Sequence, residues 1–174
     1  MKSIIIIFII VIIFFLIWLI TFSVNIRNKQ LKIYKIFSTL DVLLYKRIKI
    51  LYNMMDIIKK YNKLEFEDLN SKLYDYIYDY YNYELNKKVE INNEIFLDIK
   101  RILLVSVAYP EIKKDLKYVR YEKQIERCNS SILVMSERFN LEVTEYNKQL
   151  KSLSGKLYGK LKKLNSYKFL MVNL

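Results

Sequence analysis

No histidine occurs in this 174-residue sequence, cysteine and proline occur once each, and glycine occurs twice. Each shortage removes a class of protein. Without histidine the zinc and di-iron ligand sets built on imidazole cannot be assembled, and a lone Cys128 cannot form an intrachain disulfide. Phosphate loops, dinucleotide fingerprints and nucleophile elbows need glycines at set spacings, whereas Gly155 and Gly159 lie together near the C-terminus. So little turn chemistry also argues against sandwiches, barrels and doubly wound sheets, and in favour of long helices. Carboxylates such as Asp41, Asp56 and Glu65 remain as acid–base candidates, but solvated helix faces account for them. No catalytic, cofactor-binding or metal-ligating residue is therefore assigned, and the chain is not expected to be an enzyme.

What the sequence does have is positive charge and apolar length. The net charge of +12 suits a phosphate-rich partner, either nucleic acid or anionic lipid, although a chain crowded with Ile, Lys, Asn and Tyr also acquires such a charge by compositional habit. Ile4 to Ile20 is an unbroken run of 17 apolar side chains, and the stretch continues to Val24 with only Thr21 and Ser23 interrupting. At about 1.5 Å per residue it covers roughly 30 Å, the thickness of a hydrocarbon core. It is longer than a signal-peptide core, and WLITFSV at its end offers no small-residue cleavage site, so residues 1–24 read as an uncleaved transmembrane anchor. Trp18 suits an interfacial position. Arg27, Lys29, Lys32 and Lys35 follow the run before the first acid, Asp41, which predicts an outside N-terminus and a cytoplasmic C-terminal domain.

Beyond the anchor the periodicity is helical. Ile33, Phe37, Leu40, Leu44, Ile48, Leu51, Met55, Ile58 and Tyr61 share one face, and nothing separates them from the anchor, so a single continuous rod is expected, with a kink at Asn25–Asn28 as the alternative. A second helix is predicted over residues 66–108. Its register is broken by the polar stretch NYELNKKVEINNE, and YDYIYDYYNY in isolation alternates like a strand. Tyr109-Pro110 closes it. The third helix has the cleanest seam, Tyr118, Tyr121, Ile125, Cys128, Ile132, Met135, Phe139, Val143, Tyr146, Leu150 and Leu153, in which Cys128 reads as a small buried hydrophobe.

The expected fold is all-α: an N-terminal transmembrane helix, an antiparallel bundle of three long helices over residues 25–154, and a basic tail over 155–174. Three helices would leave the third ending far from the membrane. From Lys148 to Lys168 the chain has seven lysines and no acid. The tail reads as a short fourth helix folded back on the bundle or as a basic arm, with Lys156, Lys160, Lys162 and Lys163 as the candidate contacts. Arg47 lies at the edge of the first helix's apolar face. It is expected to snorkel to water, or, if buried, to need a carboxylate or amide from a neighbouring helix.

Two blocks resemble the LemA family of bacterial membrane proteins. The first is LDVLLYKRIKILYNMMD, with Asp41, Val42, Leu44, Lys46, Arg47 and Asn53 at the matching positions. The second runs from AYPEIK at Ala108 through RFNLEVTEYNKQL, with the aromatic–asparagine steps Phe139-Asn140 and Tyr146-Asn147. The match covers about residues 25–153. It departs from the family pattern at Tyr52, at Asn129-Ser130-Ser131 and at Leu153-Ser154. The resemblance implies a helical bundle on a single anchor in the bacterial cell membrane, and marks Asp41, Arg47, Asn53, Asn140 and Asn147 as buried polar or interaction residues. It implies no reaction. The expected partners are the lipid bilayer, another protein and a second copy of the chain through its apolar seams. Nucleic acid is not the expected partner, and anionic lipid or nucleic acid bound through the lysine-rich tail is the alternative reading.

Overall fold

The chain folds back at Tyr80–Glu84, where the polar stretch NYELNKKVEINNE that breaks the register of the second predicted helix begins. The computed structural model describes residues 2–61 and 63–171, with the side chains of residues 2, 3, 63–65 and 106 outside that description, among them the Glu65 carboxylate named above. It contains five α-helices and, among the described residues, no strand: α1 (Lys2–Ile58), α2 (Lys63–Asp79), α3 (Leu85–Ala108), α4 (Leu116–Lys151) and α5 (Leu153–Lys162). The all-α expectation holds. Helix α1 is unbroken through Asn25–Asn28, so the continuous rod is the observed alternative.

The helix predicted over 66–108 is a hairpin. YDYIYDYYNY finishes α2 and then forms a 3-10 turn at Tyr80–Asn82, with Tyr83 and Glu84 extended before α3 begins. No glycine or proline makes this turn. Tertiary contacts hold it instead: the Tyr80 ring packs on Tyr45 at 5.0 Å and its hydroxyl donates to Asp41 Oδ1 at 2.7 Å. The second connection follows the sequence reading. Helix α3 stops at Ala108, Pro110–Lys114 forms a 3-10 turn, and Asp115 caps α4 by accepting from the amides of Lys117 and Tyr118.

The chain divides into two compact units, Met1–Lys35 with Glu142–Tyr167 and Ile36–Leu141 with Lys168–Leu174. In the second unit four helical segments alternate in direction. Tyr45 meets Tyr80 while Tyr52 meets Tyr74, so α2 runs antiparallel to α1. Tyr76 bonds Glu94 and Lys72 pairs with Asp98, so α3 reverses again. Phe37 packs on Phe139 and Arg47 bonds Asn129, so α4 opposes α1. The predicted apolar faces form the core: Leu40, Leu44, Ile48 and Leu51 of α1, Leu73 of α2, Ile95, Ile99 and Ile102 of α3, and Phe139 of α4 are all 0% exposed. Burying a side chain of this size is worth about 1.5–3 kcal/mol.

In the first unit α4 lies antiparallel to α1, with Lys29 paired to Glu145 at 3.5 Å and Gln30 donating to the Tyr146 hydroxyl at 3.4 Å. Helix α4 ends at Lys151 because Ser152 adopts an extended conformation and caps α5: its side chain accepts from the Gly155 amide at 3.1 Å. The seam stops there too. Leu153, predicted as its last member, is 82% exposed. Helix α5 sits against α1 through Tyr158, whose hydroxyl is hydrogen-bonded to Ser23 Oγ and whose ring meets Phe22 edge-on at 5.6 Å. Within this unit the end of α4 therefore runs toward the apolar run of α1 rather than away from it. That corrects the expectation that it ends at the far end of the bundle.

Candidate functional site

Two polar constellations lie inside the second unit. The first is centred on Arg47, which is 3% exposed. Snorkelling is therefore corrected to burial, and the amides anticipated as the alternative are present. Nη2 donates to the side-chain oxygen of Asn92 at 3.2 Å and to its backbone carbonyl at 3.3 Å, and Nη1 donates to Asn129 Oδ1 at 3.4 Å. Asn92 is oriented by donating from Nδ2 to the Lys88 carbonyl at 2.8 Å. Among the described residues Nε has no acceptor and no carboxylate forms an ion pair with the guanidinium. Burial accordingly pushes its pKa down to about 10.

Beside it, Asp41 accepts from Tyr80 at 2.7 Å and from Lys88 Nζ at 2.8 Å, and the Lys88 ammonium lies 4.7 Å from the centre of the Tyr80 ring. Lys88 is 9% exposed and Tyr80 fully buried. Burial and the Asp41 carboxylate hold the Tyr80 hydroxyl well above its ordinary pKa, so it stays a donor. These six side chains tie α1 to the hairpin and α4. Their mutual hydrogen bonds and burial suit an arrangement that fixes helix register. Cys128 belongs to the same interior: its thiol donates to the Leu43 carbonyl at 3.3 Å and burial raises its pKa, as befits a structural cysteine.

The second constellation is a set of asparagines around the C-terminal segment. Asn140 of α4 donates to the Leu170 carbonyl at 2.8 Å and accepts from the Leu170 amide at 2.9 Å. From α3, Asn93 donates to the Phe169 carbonyl at 2.9 Å and accepts from the Met171 amide at 2.8 Å, while Asn86 accepts from the Lys168 amide at 2.9 Å. Lys168 pairs with Glu90, and Leu170 is 2% exposed. The first unit uses the same device once: Asn147 donates to the Tyr167 carbonyl at 2.8 Å and accepts its amide at 3.0 Å.

The structure thus places Asp41, Arg47, Asn140 and Asn147 in polar interactions, and leaves Asn53 exposed on α1. Ile4, Trp18 and Val24 are exposed, at 71%, 42% and 53%. Lys156, Lys160, Lys162 and Lys163 are exposed on or just after α5, and Lys163 ends that helix in the left-handed conformation with φ 52°. The partners that the sequence reading missed, Tyr80, Asn86, Lys88, Asn92 and Asn93, all come from the hairpin and the polar stretch after it. Asn129 was noticed only as a departure from the family pattern.

No curated protein sequence matches the chain. The model of the LemA family matches residues 36–173, most of the sequence, and takes in both constellations of the second unit together with the segment that the asparagines hold. The protein belongs to the LemA family.

Proposed function

We propose that this protein is a single-pass protein of the bacterial cell membrane, with its N-terminus outside and its bundle in the cytoplasm, and that it works without catalysis as a tethered interaction protein. One observation carries the tether. Helix α1 is long and apolar enough to cross a membrane, and its most apolar 18-residue window is 0% buried by the rest of the chain. An apolar surface of that length left bare is costly in water and favourable in lipid. The lysines and arginine after Val24 support the orientation. The absence of histidine and of any glycine loop from the sequence supports a non-catalytic role.

Topology is tested with Lys2→Cys and Lys160→Cys, each in a Cys128→Ser background, by labelling intact cells with a membrane-impermeant thiol reagent. Only the Lys2→Cys site should label; labelling of Lys160→Cys alone would reverse the orientation. The interaction role is tested with photo-crosslinking side chains at exposed positions such as Tyr78 and Leu133 in cells. Discrete adducts to a second copy or to another protein are expected. A reproducible turnover abolished by a single substitution would overturn it.

A specific observation favours anionic lipid as a second contact. Gly155 and Gly159 lie on the packed face of α5, Leu153, Leu157 and Leu161 lie exposed on the opposite face, and the lysines flank them. Tyr158 seats this helix beside Phe22 and Ser23, at the end of the apolar run. An amphipathic basic helix at that level fits a headgroup boundary. A fluorophore on Leu157→Cys, in the Cys128→Ser background in nanodiscs, should be quenched by lipid-borne quencher several-fold more than one on Glu67→Cys, and more so when the lipids are anionic. Equal quenching at the two sites would refute the contact.

A further inference from the structure

The chain treats its own C-terminal segment as a ligand. Between α3 and α4 of the second unit, Asn86, Asn93 and Asn140 satisfy five main-chain atoms of Lys168–Met171: the amides of 168, 170 and 171 and the carbonyls of 169 and 170. Side-chain amides here do what a strand edge does in peptide recognition, Asn93 and Asn140 each offering one donor and one acceptor to an extended backbone and Asn86 one acceptor. The spacing is matched. Asn86 and Asn93 are seven residues apart on α3, a rise of about 10.5 Å, and they take amides three residues apart, which a polyproline-type extended chain separates by about 9.3 Å. The segment has no regular secondary structure, so its backbone depends on these amides. Few of its side chains are read. Phe169 and Met171 are 51% and 50% exposed, Leu170 is buried, and Lys168 faces Glu90.

We propose that this α3–α4 groove is a receptor for an extended peptide bearing a basic residue and, two positions on, an aliphatic one, and that Lys168–Met171 is its resting occupant. A groove that reads main chain and two side chains accepts any segment of that pattern, and the covalently attached occupant sets how readily an outside peptide enters. This deepens the interaction reading above and rests on it, by naming where a partner chain binds and what it must look like.

The probe is a fluorescent peptide of residues 165–174, titrated by anisotropy against the chain in nanodiscs. Against a chain ending at Tyr167 it should bind saturably, and against the full-length chain at least about tenfold more weakly, because the attached segment competes. Asn93→Ala and Asn140→Ala in the shortened chain should each weaken binding about tenfold. A peptide with Phe169 and Met171 replaced by serine should bind within about threefold, and one with Leu170→Asp should not bind. If the shortened chain loses its helical circular dichroism, full-length Leu170→Ala replaces it, with the segment loosened but present, and should bind the peptide more tightly than the parent chain. Absence of saturable binding to whichever of these is folded overturns the proposal. The crosslinks at Tyr78 and Leu133 would persist in that case, so the interaction reading fails only if they too are absent.

Discussion

Asn92→Leu should cost about 3–5 kcal/mol of stability, and adding Arg47→Met should restore most of it. Asn92 supplies two of the three acceptors that the guanidinium reaches, at 3.2 and 3.3 Å, and the leucine side chain removes the first and disturbs the second. What remains is a cation 3% exposed with Asn129 as its one firm partner. Removing one partner from a buried charge leaves its desolvation uncompensated, which is where losses of this size arise. Removing both polar partners for apolar ones of similar volume is close to neutral, because the desolvation penalty leaves with the charge. The sign of the proton linkage agrees. Burial pushes Arg47 down to about 10, so the folded state holds this proton less tightly than the unfolded state. The penalty is fully present below pH 10 and shrinks as pH rises above it, and it is of the order of 3 kcal/mol at neutral pH. Chemical denaturation of the two single variants and the double variant gives the coupling energy. A value above about 2 kcal/mol is expected, and additive single effects would show that Asn92 does not hold the guanidinium.

Arg47 was legible as an exceptional residue because a charge at the edge of an apolar face must either reach water or find a polar neighbour. Its fate was not legible, because it turns on which helix lies opposite. The face of α1 from Ile33 to Ile58 and the seam of α4 to Leu150 were readable, since periodicity reports burial directly and needs no knowledge of partners. The hairpin at Tyr80–Glu84 was not. It is made by packing of Tyr80 on Tyr45 and by hydrogen bonding to Asp41, contacts 35 and 39 residues distant in sequence, and not by turn residues. The polar stretch that looked like a loss of register proved to be the source of Asn86, Lys88, Asn92 and Asn93. These residues face Asp41, Arg47 and the C-terminal segment rather than solvent.

The asparagines show the same division. Phe139-Asn140 and Tyr146-Asn147 were visible as repeated steps, and in each the aromatic ring is fully buried while the neighbouring amide grips a backbone. What they grip was invisible, because an extended segment held by side chains has neither period nor propensity to read. The resemblance was read as ending at Leu153, whereas the family match continues to 173 and includes that segment. Helix parity had the widest consequence. Counting three long helices sent the end of α4 away from the apolar run of α1, whereas within the first unit α5 meets α1 at Ser23.

Gly155→Ala should detach α5 from α4, with a cost of about 3 kcal/mol to the docked state, a shift of roughly 100-fold in the docked-to-undocked ratio. A methyl group at Gly155 would lie 2.1 Å from the Gln149 carbonyl oxygen and 2.6 Å from that of Leu150, both backbone atoms of α4's last turn that cannot move without breaking it. At Gly159 the nearest atom is Leu150 Cδ1 at 2.8 Å, the end of a flexible side chain that rotates away, so Gly159→Ala should cost about 1 kcal/mol or less. Neither glycine has positive φ, so the contrast measures close approach and not backbone strain. The readout is the Leu157→Cys label in nanodiscs. Undocking frees Tyr158 from Phe22 and Ser23, so Gly155→Ala should lower lipid-borne quenching of the label and expose the Ser152–Ser154 connection to protease, while hydrogen exchange at Leu170 and Met171 in the second unit is unchanged. Equal behaviour of the two alanine variants would mean that α5 is not seated through its glycine face. Quenching that survives undocking would mean that the leucines and lysines of α5 find the bilayer on their own, with α1 supplying only proximity.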